Sequence, residues 1–361
     1  MNPHEIVEHR LHNHHLSGPP LPTPEGVVGW LGAMQAQDYP GAKWSIGART
    51  VGASDAALDG ALADGSILRT HMLRPTWHFV LPSDIRWMQH LTAERVHAQM
   101  AYYRRSLGLD EALFMTSARL LGAALADGQR LTRPEISALF LGRGIVVDGV
   151  RLGHLLMRAE LDLVICSGGL KGRQQTYALV DELVPGQDPI PREEALTRLA
   201  LRYFTSHGPA TERDCAWWSG LTVADVRRGI ALAGSQLDST RVADRAYWFA
   251  PASFAPAGEP LTAHLLQGFD EYVIAYSQSR DLLDLAGIIS SGGNERLRIH
   301  VVILGGQVVA RWRRVVERRS VVIDARLERP LQEGELRAVN AAVARYARFV
   351  EMSANLITVA T

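Results

Sequence analysis

The chain has 361 residues, of which 47% are hydrophobic and 21% charged, a composition that excludes a disordered or fibrous protein and leaves room for about two to four folded units. Its 38 basic and 38 acidic residues balance, so bulk charge neither supports nor excludes DNA binding. The N-terminus lacks an export signal, and no apolar run approaches the roughly eighteen residues of a membrane span, so we expect a cytoplasmic protein outside the membrane. The two cysteines have no paired spacing, so we expect neither a disulfide nor a zinc site.

Residues 1–110 form the first predicted unit. Apolar residues at helical spacing predict helices at residues 6–16, from residue 23 into a glutamine motif, and at residues 56–62. A β-hairpin is predicted at residues 67–80. Three helices followed by a hairpin is the winged-helix pattern, a variant of the helix-turn-helix, and this part of the chain fits it loosely.

Two glutamines, Gln35 and Gln37, stand two residues apart in an apolar stretch and are the first candidates for chemistry. An amide offers a carbonyl acceptor and an NH2 donor, so two amides can hold one water while their dipoles face a developing positive charge. The spacing alone favours a simpler interpretation, two polar positions at a helix end. Asp38 follows as a candidate base on water, although a helix cap is its more usual role.

The second predicted unit, residues 111–190, repeats the pattern of three helices and a hairpin. Lys171 and Arg173 occupy the glycine-rich tip of the predicted wing and are candidates for contacts with DNA phosphates, although each alone is more often a solvated surface charge. The helices are predicted at residues 116–127, 133–140 and 150–160, and the wing strands at residues 163–166 and 176–180.

The third predicted unit, residues 191–255, shows the same pattern most clearly. Its first helix stops at a His-Gly-Pro sequence, Thr211 can cap the second helix, and Thr222 starts the third. The helices are predicted at residues 192–204, 211–220 and 222–230, and the hairpin at residues 241–249.

Residues 256–361 change in character, because prolines interrupt the helical pattern and strand-like runs follow. Strands at residues 299–304 and 307–312 flank a two-glycine turn, and another strand is predicted at residues 320–325. A helix at residues 331–352 has one apolar face and is expected to pack on these strands. The whole chain is thus expected to be an α+β fold with three tandem winged-helix units, a small β-barrel or sheet, and a C-terminal helix.

Further candidates for phosphate contacts lie on a C-terminal strand, where Arg311, Arg313 and Arg314 cluster. His71 in the first hairpin is another candidate for DNA contact, although a histidine in a hairpin is more often a structural group. The turn at residues 290–294 could enter a DNA groove, with a plain exposed turn as the default interpretation.

Several segments resemble the AlkZ family of bacterial DNA glycosylases over nearly the whole chain. These segments are residues 35–38, 42–45, 68–78, 268–272 and 309–312. The resemblance implies tandem winged helices with a β-barrel, and it places the family's catalytic motif of glutamine, apolar residue and glutamine on Gln35, Ala36 and Gln37. Pro75 departs from the family pattern, because it stands where the first hairpin usually has a small glycine.

The resemblance implies a monofunctional DNA glycosylase that hydrolyses the bond between deoxyribose and N7-alkylguanine in double-stranded DNA and leaves an abasic site. The substrates of the family include adducts and cross-links left by genotoxic natural products. A lyase step would need an amine, and the resemblance assigns catalysis to neither of the chain's two lysines, Lys43 and Lys171.

No metal or other cofactor is expected, because adjacent histidines in the run at residues 12–15 face different ways on a helix, and we expect a monomer. The alternative function is a tandem winged-helix transcription regulator that binds DNA without catalysis. Its support is thin, because the third helix of the third unit offers only Arg227 and Arg228 as basic residues for reading DNA.

Overall fold

The computed structural model describes residues 1–184, 186, 188–251, 261–288 and 300–360. The predicted turn at residues 290–294 lies outside these ranges, as does the first residue of the strand predicted at residues 299–304.

The glutamine motif begins on a short β-strand, which contains Gln35, and does not stand at the end of a helix as predicted. The second helix ends at Leu31, because Gly32 adopts a φ of 82° that side chains rarely tolerate. The chain then extends, and Gln35 pairs antiparallel with His78 of the first hairpin. The elements of this region are α1 (Pro3–Asn13), α2 (Pro24–Leu31), β1 (Met34–Gln35), α3 (Tyr39–Gly47), α4 (Asp55–Ala63), β2 (Leu68–Met72), β3 (Thr76–Val80) and α5 (Pro82–Ser106).

The sequence patterns do not predict α3 or α5. Helix α3 directly follows the glutamine motif and is short, with Pro40 in its first turn, where proline is tolerated. Helix α5 buries Ile85 and Met88 near its start, but its second half is rich in polar residues, which interrupts the apolar stripe. Both helices are therefore selected by the packing of the folded chain more than by local periodicity.

The region after α5 has a hydrophobic core of its own, in which Phe114, Leu121, Phe140 and Leu155 pack together. The predicted helices and hairpin are present, and a two-residue strand joins the hairpin in a three-stranded sheet of order β4-β6-β5. Its elements are α6 (Glu111–Ala124), β4 (Leu131–Thr132), α7 (Arg133–Leu141), α8 (Gly149–Leu161), β5 (Ile165–Lys171), β6 (Gln174–Leu179) and α9 (Val180–Leu183).

The next region contains the three helices and the hairpin that the sequence predicts. Thr211 and Thr222 cap the second and third helices through their side chains, as expected. Its elements are α10 (Arg192–Ser206), α11 (Glu212–Ser219), α12 (Val223–Ala233), β7 (Asp238–Val242) and β8 (Arg245–Phe249).

The C-terminal region forms a five-stranded sheet of order β13-β12-β11-β10-β9, which is open within the described residues, so the closed barrel offered as one expectation is not observed. Helix α14 packs on this sheet as predicted and buries Val339 and Tyr346. A last strand, β13, pairs parallel with β12 and was not predicted. The elements are β9 (Ala263–Leu266), α13 (Glu271–Ile274), β10 (Val301–Leu304), β11 (Gln307–Val316), β12 (Ser320–Leu327), α14 (Glu333–Phe349) and β13 (Ser353–Ala360).

The hydrophobic cores do not follow the predicted unit boundaries. One core joins Ala36 of the first region with Val302 and Tyr346 of the C-terminal region. A second core joins Met72 of the first hairpin with Trp218 of α11. The first region is therefore packed into two others, and the division into three winged-helix units stays a prediction.

A buried ion pair connects these regions. Arg49, just after α3, donates to both carboxylate oxygens of Asp270 at 2.9 and 2.7 Å, and both side chains are inaccessible to solvent. The guanidinium also donates to the carbonyls of His14 and Ser45. Burial alone would raise the pKa of Asp270, but Arg49 and the hydrogen bonds to the carboxylate hold the pKa below its ordinary value. The pair thus joins the ends of α1 and α3 to the segment that begins α13.

We expect the substitution Asp270→Asn to lower the free energy of unfolding at pH 7 by about 3–5 kcal/mol, because it leaves the Arg49 charge buried without its partner. Since the folded pKa of Asp270 is depressed, this stabilisation is present above the unfolded pKa and is lost as the pH falls through the folded pKa. Urea unfolding at neutral and acidic pH measures both effects. Asp181→Asn is the control, because Asp181 also pairs with an arginine but is 82% exposed, and it should cost at most about 1 kcal/mol.

Candidate active site

Gln35 is held at both its backbone and its side chain. Its N–H donates to Glu271 Oε1 at 2.7 Å, and its side-chain Oε1 accepts from Arg74 Nη2 at 3.0 Å. The residue is 7% exposed. A carbonyl oxygen has two lone pairs, so the bond from Arg74 orients the amide and leaves one acceptor position on it.

Glu271 is a buried carboxylate beside β1. Its second oxygen accepts from Trp218 Nε1 at 2.8 Å and lies 3.6 Å from His207 Nε2. Burial lowers the pKa of Arg74, and the negative charge of Glu271 opposes that shift. The Gln35 residue is therefore placed between a guanidinium and a carboxylate of opposite charge.

Gln37 is exposed and follows β1. Its Oε1 accepts a long hydrogen bond of 3.4 Å from the Trp77 N–H. Ala36, between the glutamines, is fully buried, donates its N–H to the Trp77 carbonyl at 2.7 Å and accepts from Arg69. Because side chains alternate along an extended chain, the motif turns its apolar residue into the core and both glutamines away from it.

The tip of the first hairpin docks on the end of α11. Gly220 has a φ of +71°, and a Cβ there would lie 2.0 Å from the Leu73 carbonyl oxygen, so this contact requires glycine. Beside it, Arg74 lies 5.5 Å from the Trp217 ring, which is 46% exposed and anchored by a hydrogen bond from its Nε1 to the Ile274 carbonyl. Arg74 and Trp217 line a cleft of about 740 Å³ that adjoins Gln35 through Arg74.

Asp38 does not cap α3, although a cap was its more usual expected role. Its side chain makes no capping hydrogen bond. Asp38 Oδ2 instead lies 4.0 Å from His300 Nε2, and both side chains are 30% exposed. A half-buried carboxylate and an imidazole thus face each other directly beyond the glutamine motif.

His71 is buried and participates in a contact between regions. Its Nδ1 is hydrogen-bonded to Glu160 of α8, and Glu160 also accepts from Trp77 Nε1 at 3.2 Å. Arg69 lies over the Trp77 ring at 4.4 Å. With 4% of its surface exposed, His71 has a clear structural role here and offers little area for DNA.

The cations predicted at the wing tip are on the surface. Lys171 is 61% exposed and pairs with Glu135 at 2.6 Å, and Arg173 is exposed in the turn between β5 and β6. Gln175 of β6 is hydrogen-bonded to Tyr39, the first residue of α3. The wing strand therefore reaches the neighbourhood of the glutamine motif.

The three arginines predicted on a C-terminal strand lie on β11, and each has a partner within the chain. Arg313 is 77% exposed, whereas Arg311 is 22% exposed. Burial lowers the pKa of His300, and the positive charge of Arg314 lowers it further. The partners are Glu328 for Arg311, Asp324 for Arg313 and the Tyr346 hydroxyl for Arg314.

Sequence reasoning missed four residues of this site: Arg74, Trp217, Glu271 and His300. Arg74 and Glu271 stand in segments that carry the family resemblance, so those segments held a usable signal. Trp217 and His300 reach the site only through the fold, and no local pattern identifies them.

The described part of the chain brings together no three histidine, cysteine or acidic side chains suited to hold a metal ion. Within the same ranges, every helix is too short or too polar to cross a lipid bilayer.

Three comparisons with known proteins identify the same kind of relative over most of the chain. The family model for AlkZ-like DNA glycosylases matches residues 28–349. An interstrand DNA cross-link repair glycosylase of Streptomyces sahachiroi is 26% identical over 342 residues, which is 88% of this chain and 89% of that protein. The structure of the Streptomyces sahachiroi DNA glycosylase AlkZ superposes with a TM-score of 0.79 at 20% identity, covering 99% of this chain and 100% of that one, which shows a shared fold.

Replacing Glu271 by Gln tests whether this carboxylate supports β1. A glutamine must turn its NH2 group toward either the Gln35 N–H or the Trp218 N–H, so one buried donor loses its acceptor. We expect the free energy of unfolding in urea to fall by about 1–3 kcal/mol. Glu333→Gln, at a carboxylate that is 88% exposed, is the control, and a similar loss in both variants would contradict this role.

Proposed function

Because the chain belongs to the AlkZ-like DNA glycosylase family, we propose that it hydrolyses the bond between deoxyribose and N7-alkylated guanine in double-stranded DNA and leaves an abasic site. The observation that carries this proposal is the pair of neutral amides, Gln35 and Gln37, at the centre of the candidate site. Neither amide can act as a general acid or base near neutral pH. The site therefore suits a substrate whose leaving group is already activated.

N7-alkylation activates guanine in this way. The alkylated base is cationic and departs as a neutral molecule, so the leaving group needs no proton. The remaining demands are an attacking water and stabilisation of an oxocarbenium-like sugar, as in other glycoside cleavages. Amide oxygens aimed at the sugar supply the preorganised dipoles for both, and Arg74 fixes the orientation of the Gln35 amide.

The contacts of the two lysines in the chain support a hydrolytic, monofunctional enzyme without a lyase step. A lyase step requires an unprotonated amine that can attack the sugar. Lys43 is 4% exposed and its Nζ lies 2.9 Å from Asp55 and 2.8 Å from Asp59, so two carboxylates hold the buried amine. Lys171 is paired with Glu135 at the wing tip.

We assign DNA phosphate contacts to the exposed cations, with Lys171 and Arg173 on the wing and Arg313 on β11 as the most accessible. Arg311 and Arg314 are half-buried and would have to exchange their intramolecular partners for phosphate. His71 is the weakest candidate, because it is buried and its ring is bonded to Glu160. These contacts are independent of base sequence and should weaken with salt.

No second copy of the chain is needed to complete the site, and we propose a monomer in the cytoplasm.

The cleft beside Gln35 supports bulky adducts as substrates. A large natural product attached to guanine does not fit a tight base-flipping pocket. The exposed Trp217 ring offers a surface on which a planar adduct can stack, and the volume of about 740 Å³ falls within the range of small-molecule sites. Cross-links between strands are a subset of such adducts, and unhooking them would use the same cleft.

A regulator without catalysis is the less favoured function. The best candidate for a DNA-reading helix is α12, whose Arg227 and Arg228 pair with Glu212 and Glu193. These surface pairs resemble those of Lys171 and Arg313 and do not decide against DNA contact, but the glutamine motif has no role in such a regulator.

Incubation with DNA carrying N7-methylguanine or a bulky N7 adduct, followed by alkali, should reveal strand breaks at abasic sites. We expect Gln35→Ala and Gln37→Ala each to slow excision by about 10²-fold, because each removes a dipole that faces the reacting sugar. A chelator should not change the rate. Gln129→Ala, at an exposed glutamine between α6 and β4, is the control. Absence of excision by the wild type on every adduct, or full activity of the double variant, would contradict the proposal.

The role of the cleft predicts a change in substrate preference. We expect Trp217→Ala to lower kcat/KM for a bulky planar adduct by about tenfold and to leave N7-methylguanine nearly unaffected, because only the larger adduct reaches the ring. Trp217→Phe removes the same hydrogen bond to the Ile274 carbonyl but keeps an aromatic ring, so it should retain most of the preference. An equal loss on both substrates in Trp217→Ala would indicate a structural role instead.

A further inference from the structure

Gly41 leaves room for the Asp38 carboxylate beside the first turn of α3. A Cβ at Gly41 would lie 2.4 Å from Asp38 Oδ2, so a larger residue there would force the carboxylate to move. The carboxylate makes no capping bond and is 30% exposed. It is thus an acceptor that the helix does not use, one residue beyond Gln37.

His300 is held by three contacts. Its carbonyl accepts from the Trp312 N–H at 3.0 Å, its ring packs at a tilt of 33° against Trp312 with centroids 5.1 Å apart, and its Nδ1 accepts from the Gly268 N–H at 3.0 Å. A backbone N–H is always a donor, so Nδ1 must present its lone pair. The neutral ring therefore carries its proton on Nε2, the atom that faces Asp38.

The same contact disfavours the charged form of the ring. An imidazolium would direct an Nδ1–H at the Gly268 N–H, which is a clash between two donors. Burial lowers the pKa of His300, Asp38 opposes this shift, and Arg314 adds to it. The groups that face the pair are Arg314 from β11 and the Tyr346 hydroxyl from α14, to which Arg314 donates. His300 is thus a neutral donor near pH 7.

The separation between the two side chains matches a bridging water. At 4.0 Å, His300 Nε2 and Asp38 Oδ2 are too far apart for a direct hydrogen bond, whose donor and acceptor lie about 2.7–3.2 Å apart. One water between them can accept from Nε2–H and donate to Oδ2. We propose that Asp38 and His300 bind and activate the water that attacks the sugar, with Asp38 as general base and His300 as the donor that orients it. This inference rests on the proposed glycosylase function.

The step hydrolyses the glycosidic bond of the alkylated nucleotide. The water oxygen bonds to C1′ of the deoxyribose, and the bond from C1′ to N9 of the alkylated guanine breaks with its electron pair going to the base. The cationic base leaves as a neutral molecule, and a proton of the attacking water passes to the Asp38 carboxylate and then to solvent. His300 gives up no proton. A neutral imidazole also adds no charge beside the cationic sugar, whereas an imidazolium would repel it.

The test is the single-turnover rate of N7-methylguanine excision as a function of pH. We expect Asp38→Asn to lower the rate by about 10²-fold, because the water loses its base. His300→Gln keeps an N–H donor and should stay within about threefold of wild type, whereas His300→Ala should lose about tenfold. In the wild type the rate should fall as the pH drops below the ordinary range of an imidazole pKa, because His300 becomes protonated, and His300→Gln should lack this fall.

His97→Gln is the matched control, because His97 also faces an aspartate, Asp162, at 2.9 Å but lies on α5. It should keep both the rate and the pH profile of the wild type. Melting temperatures identify any variant that fails to fold, and His300→Gln and Asp38→Asn, which are close in shape to the native residues, guard against that outcome. Full activity of Asp38→Asn, or the same pH profile in wild type and His300→Gln, would overturn the roles assigned to Asp38 and His300. If the wild type still excises the base, the proposed function stands. Absence of wild-type excision would overturn both.

Discussion

The buried ion pair between Arg49 and Asp270 is the constraint on which the candidate site depends. Asp270 stands between Gly268, whose N–H holds His300, and Glu271, whose carboxylate holds the backbone of Gln35. Fixing one carboxylate against Arg49 therefore fixes the acceptor for the glutamine strand and the donor for the histidine. A single desolvated pair is costly to break, so both sides of the site are positioned with the rigidity of the core.

The site combines neutral amides at its centre with charged residues at its edges. Gln35 lies between Arg74 and Glu271, and the aspartate beyond Gln37 faces a histidine that the backbone keeps neutral. For a cationic substrate the amides supply dipoles that respond to charge as it develops, while the Asp38 charge, which a neutral histidine does not compensate, stays available to the water. The amide motif is thus best understood together with the charged residues that orient it.

Local patterns predicted the fold where helices and hairpins have strong periodicity or caps, as at Thr211 and Thr222, and they failed where packing decides. The strand of Gln35 and the final strand β13 exist because neighbouring strands complete them, and two-residue or edge strands carry little periodic signal. For the site, the spacing of the glutamines made them candidates and the family resemblance favoured catalysis, but His300 was not found, because it meets Asp38 only through the fold.

The Glu271 carboxylate also closes the edge of a sheet inside the protein. Strand β1 is an edge strand in the order β1-β3-β2, and the Ala36 N–H just beyond it points at β3, so the Gln35 N–H points outward from the sheet. A buried backbone N–H needs an acceptor. Gln35 is 7% exposed, and Glu271 accepts from its N–H in place of a further strand. The contact that positions the catalytic candidate thereby lets the sheet end within the protein without an unsatisfied backbone donor.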